Sequence, residues 1–167
     1  MLLENIKTII WDQFGGAIDM LENAIVDCSD ELWLKDNKYW YTAYHTLFFL
    51  DYYLSDDPDN FHPPAPFTLS EMDPSGIMPE RKYTKEELTT YIQYCRKKCH
   101  DLIHGLSDEN SNRRFINTYR NYNVLEILLY NMRHVQHHTG QLILLLRKEL
   151  DIGSKWVSRS NARLGEL

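Results

Sequence analysis

A chain of 167 residues, 43% of them apolar, fits a single domain and is long enough to bury one substantial core. Its formal charge of −6, with Arg96-Lys97-Lys98 as the densest basic cluster, argues against a nucleic-acid binder and against attraction to an anionic membrane surface. The sparse cysteines Cys28, Cys95 and Cys99 argue against a disulfide framework, and no apolar run approaches the roughly 20 residues that a membrane span requires.

The opening MLLENIKTIIWDQF carries charges too early for a secretory leader, so a cytoplasmic location is expected. It continues as an amphipathic helix, about 2–28, whose apolar stripe runs through Ile6, Ile10, Phe14, Ala17, Leu21, Ala24 and Ile25. Gly15-Gly16 interrupts that stripe and predicts a close helix contact or a slight bend. Ser29-Asp30 reads as a break. The second helix, about 37–54, is apolar or aromatic on nearly every side, which predicts burial. All six prolines then fall between Pro58 and Pro79, so a long non-helical crossover follows, of the kind that walls or covers a site.

The third helix, about 84–106, opens on a capping box between Thr84 and Glu87, and the fourth, about 123–150, opens on the same logic at Asn123 and Glu126. Residues 107 to 122 permit a short strand or a short helix. The tail 151–167 has no sustained period, and Trp156 is expected to anchor it. These elements make a single-domain, all-α four-helix bundle.

The run NMRHVQHHTGQLILLL, residues 131–146, sets three histidines at the mouth of a greasy helix. Residues four apart lie within roughly 40° on a helical wheel, so His134 and His138 share one face with Ile127, Gln141 and Leu145. His137 falls beside Arg133, toward solvent. A metal on two imidazoles needs a third ligand from another helix, and His45 stands alone in the second helix with Tyr41, Phe49 and Tyr52 on its face. An imidazole buried there without a partner costs about 1–3 kcal/mol. Two readings follow. His45, His134 and His138 share one divalent ion, or each is a core histidine satisfied by its own hydrogen bonds.

Rival constellations carry less. Cys95 and Cys99 belong to the apolar stripe of the third helix, and His100 and His104 flank Arg96 and Lys97 on what reads as its solvated side. His62 lies in the crossover, free to approach a pocket. HExxH, Gly-rich phosphate loops, GxSxG and the ExxH pairs of di-iron bundles are absent from the sequence.

The lone His45 together with HVQHHTGQL, residues 134–142, resembles the DinB-like superfamily, whose signature is a histidine, a second one four residues on, then x-Gly-Gln and an aliphatic residue. Lys155-Trp156-Val157 after a glycine-containing turn is similar to members of that group. The resemblance implies an up-down-down-up bundle with its long crossover between helices two and three, and often a homodimer. It also implies a divalent metal, nickel or zinc most often and iron as a further option, on His45, His134 and His138. Relatives include bacillithiol-using S-transferases and a mycothiol-dependent isomerase, which makes a small thiol the expected partner of a small-molecule substrate.

An ion on three neutral imidazoles keeps open positions and can activate a thiol or a water near neutral pH, so S-transfer and hydrolysis are both available. Tyr41, Phe49, Tyr52 and Tyr130 are the expected pocket walls, with Gln141 supporting a ligand. Asp51 lies roughly 120° from His45 and Glu126 about 80° from His134, so neither is placed as a general base. That leaves Tyr130 as the side-chain candidate. The alternative is a helical bundle that binds a metal or ligand without catalysis.

Overall fold

Helical periodicity and caps dominate the computed structural model, which describes residues 2–35 and 38–167. Its helices are α1 (Leu2–Asp27), α2 (Asp30–Leu34), α3 (Tyr39–Tyr53), α4 (Lys85–His104) and α5 (Val124–Leu150). The expected start of the second long helix, Asn37, lies outside the described residues. Both capping boxes form: Thr84 and Glu87 exchange bonds at the head of α4, and Asn123 and Glu126 do so at the head of α5. The break at Ser29 becomes a cap, its hydroxyl accepting from the Leu32 amide to start α2.

The long helices α1 and α3 each pack on both α4 and α5, and the α1 stripe from Ile10 to Ile25 is buried as its spacing requires. Among the described residues no helix is long and apolar enough to cross a membrane. Residues left open between 107 and 122 supply an antiparallel hairpin, β1 (Arg114–Asn117) and β2 (Arg120–Asn123), with Phe115 opposite Tyr122. The Asn117 side chain closes its turn by accepting from the Tyr119 and Arg120 amides. The crossover holds two short 3-10 turns, Pro58–Asn60 and Leu69–Met72, and sends Phe61 and Phe67 into the core.

The groove at Gly15-Gly16 receives the C-terminal tail, where a second helix was one expectation. A Cβ added to Gly15 would stand 2.5 Å from the Ser160 Oγ, and one on Gly16 would meet the Arg159 backbone at 3.2 Å. Main-chain bonds seat the tail: the Ser160 amide donates to the Asp12 carbonyl, the Asn161 amide to Asp19, and the Trp11 indole to the Ala162 carbonyl. Trp156 does not anchor it, being 72% exposed. Bonds from the tail's main chain to the backbone and side chains of α1 hold this segment instead.

The polar side assigned to α4 is also corrected. Arg96 is buried and its guanidinium reaches Asp19 and Glu22 of α1. His100 is buried too, set edge-on to Trp11, and its Nε2 accepts from the Gly165 amide at 2.8 Å. The tail folds back over His100 and the α1 carboxylates engage Arg96, although helix periodicity alone leaves both facing water. Cys95 and Cys99 are fully buried core residues, as their stripe implies, and burial pushes both thiols up.

Candidate metal centre

His134 and His138 project from the same face of α5, one turn apart, because four residues nearly complete a helical turn. His45 meets them from α3. The ring centres stand 4.6 Å apart for His134 and His138, 4.8 Å for His45 and His138, and 5.4 Å for His45 and His134. One ligand atom of each ring lies within 4.8 Å of the others. His137 is exposed and outside the group, as its wheel position predicts.

Each ring is held differently. His45 Nδ1 bonds the Glu71 carboxylate at 2.6 Å; because a carboxylate accepts, Nδ1 is the donor, and in the tautomer protonated there Nε2 carries the lone pair. Glu71 sits on the second 3-10 turn of the crossover, and its side chain is only 3% exposed. His138 Nδ1 pairs with the Gln141 Oε1 at 2.8 Å, and the Gln141 amide nitrogen reaches His137 at 3.3 Å. His134 Nδ1 is buried with no hydrogen-bond partner among the described residues, and so is the second Glu71 oxygen.

Burial, then the His138, His45 and His137 rings and the Arg120 charge, lower the His134 pKa to about 3. Burial also lowers that of His138, against the opposing bond from Gln141. Both rings are therefore neutral near pH 7 and offer lone pairs. A buried imidazole nitrogen without a partner, a neutral His138 beside it and a carboxylate behind His45 suit a divalent cation. The cluster is compatible with divalent-metal binding.

Aromatic residues shape the surroundings. Phe49 lies 4.8 Å from the His45 ring and 5.6 Å from His134, and Tyr41 is 6.3 Å from His45. Tyr41 faces Glu71, and burial, with that carboxylate second, pushes its hydroxyl up to about 12. Tyr52 stands one ring further back, packed on Phe49 and Phe61, with its hydroxyl accepting from Asn117. Tyr53, which periodicity did not single out, contacts His134 at 5.9 Å. Tyr130 packs on Tyr53, and its hydroxyl accepts from Arg120 at 2.6 Å.

Asp51 is fully buried on the α4 side, where Lys98 and Tyr91 bind it, so it does not serve the histidines. His62 lines a separate cavity of about 880 Å³ together with Phe61, Tyr94 and Lys98, and none of the three clustered histidines reaches it.

Fold and site together define a helical bundle whose interior face gathers three histidines compatible with a divalent metal. The chain belongs to the DinB superfamily, which it matches over residues 13–142, a span that includes all three rings. No curated protein and no solved structure matches it.

Proposed function

We propose that this chain binds one divalent metal on His45, His134 and His138 and uses it to activate a small thiol or a water against a small-molecule electrophile. The observation that carries the reading is the three-sided shell. Among the described residues only these three His, Cys, Asp or Glu side chains gather there, and Glu71 sits behind His45 rather than beside it. Zinc and nickel suit three imidazoles, and iron does too. When bound, such an ion supplies Lewis acidity that turns a thiol or a water into a nucleophile near neutral pH.

The chain's own residues supply the rest. Glu71 and Gln141 fix two ring orientations, Phe49 and Tyr41 wall the space beside His45, and the 28% exposure of the His45 side chain leaves that side open to a small reactant. A ligand set closed by four protein groups would mark a structural ion, whereas three leave positions to exchange.

Titrating the metal-free protein with cobalt(II) tests this directly. The expected result is one ion per chain, with a visible spectrum that shifts when a small thiol is added. A spectrum indifferent to thiols, azide and water exchange would end the enzymatic reading in favour of a purely structural ion. No uptake of cobalt, zinc or nickel would end the metal reading itself.

Glu71 gives a graded result in the same titration. Outer partners of metal-bound histidines typically contribute 10–100-fold in affinity. Glu71→Ala is expected to weaken metal binding by about that factor, and Glu71→Gln by less, since its amide oxygen still accepts from His45 Nδ1. Chelator competition measures both variants, and wild-type affinity in the pair would remove Glu71 from the centre.

A further inference from the structure

Among the described residues, lysines and arginines that are buried or half-buried follow one pattern with one exception. Lys7 faces Glu4, Lys85 faces Asp30, Arg96 faces Asp19 and Glu22, Lys98 faces Asp51, and Arg113 faces Asp56. Arg120 is half-buried and has no carboxylate within ion-pair distance. Its guanidinium carbon lies 5.4 Å from the centre of the Tyr53 ring and 4.7 Å from that of Tyr130. One of its N–H groups donates to the Tyr130 hydroxyl.

The position of this unmatched charge is what gives it meaning. Tyr53 packs on both Arg120 and His134, so a single aromatic ring separates the guanidinium from the histidine cluster. Tyr130 stands one helical turn before His134 on α5, which puts the charge, the ring and the histidine along one side of that helix. A guanidinium whose planar fork is not engaged by a protein carboxylate has the geometry to take a carboxylate, phosphate or sulfonate through paired N–H donors.

From this we infer that the small molecule bound at the three histidines carries an oxyanion group, and that Arg120 receives that group while the reacting end lies at the histidines. The inference rests on the metal reading above and names the substrate class for that site. Stacking on Tyr53 and Tyr130 holds the guanidinium in place before the ligand arrives, which lowers the ordering cost of binding.

The test uses the full chain loaded with cobalt(II) and two thiols of equal length, mercaptohexanoate and mercaptohexanol. Thiolate-to-cobalt absorption gives an affinity for each. The wild type is expected to favour the carboxylate thiol by about tenfold or more, the range of a charge-assisted hydrogen bond. Arg120→Gln is expected to erase that preference while still taking up one cobalt per chain and still binding mercaptohexanol. Arg120→Lys, which keeps the charge and loses the fork, is expected to restore part of it.

Equal affinities for the two thiols in the wild type overturn the inference and leave the metal reading standing. So does a preference that survives Arg120→Gln. Failure of the wild type to take up cobalt defeats the metal reading, and this inference falls with it.

Discussion

Replacing His134 by alanine is expected to abolish stoichiometric metal binding while costing the metal-free bundle only the packing of the ring and no hydrogen bond through Nδ1. The two halves of that result come from one observation. His134 Nδ1 is buried without a partner, so in the metal-free chain the ring forms no bond through that atom that alanine would lose. In the loaded chain it would be one of three ligands, and losing a ligand costs more than the 10–100-fold lost with an outer partner. Because a ligand that binds only the folded state stabilises it by about 2.7 kcal/mol at a hundred times its Kd, metal should raise the melting temperature of the wild type and leave that of His134→Ala unmoved.

A satisfied core histidine would lose a hydrogen bond as well as packing on removal, and would show no metal response in either form. His45→Ala and His138→Ala should follow His134→Ala in metal content. His137→Ala is the control. Its ring is exposed and outside the cluster, so one ion per chain should remain. Elemental analysis of the purified proteins and thermal melts with and without zinc read both halves.

Arg96→Ala is expected to cost about 3–5 kcal/mol of folding stability, the range for removing one partner of a buried ion pair. Asp19 is left behind with its side chain only 5% exposed and no counter-charge, and Glu22 loses a partner with it. Against a total of roughly 5–15 kcal/mol for a typical domain, that loss is a large share. Urea unfolding of the wild type and of Arg96→Ala measures the cost. Adding Asp19→Asn should return part of it, because the stranded carboxylate is then neutral. A loss below about 1 kcal/mol would mean the pair is solvated and behaves like a surface bridge.

The sequence carried the parts of this molecule that obey a period. Apolar spacing gives the four long helices, the two Thr/Asn-to-Glu signals give two of their starts, and the four-residue step gives the His134–His138 pair. His45 was legible for a different reason, as an imidazole set among aromatics that needs a partner. What stayed hidden depends on loops. Glu71 is 26 positions from His45 on a proline-rich crossover with no repeating pattern, so nothing local says where its carboxylate goes. Arg120 waits on a four-residue strand in a stretch that reads equally as helix.

His100 and Arg96 were misread because a helical wheel knows only its own helix. A tail more than sixty residues downstream of His100 covers one of them, and carboxylates on α1, more than seventy residues upstream of Arg96, neutralise the other.

The seat of the C-terminal segment has its own consequence. Asp12 and Asp19 come from α1 and His100 from α4, helices that meet only when the chain between them has found its place. Residues 160–165 therefore span both helices, with 160–162 bonded to α1 and Gly165 to His100 of α4. They act as a latch across the seam between α1 and α4, tying together two helices that lie far apart in the chain.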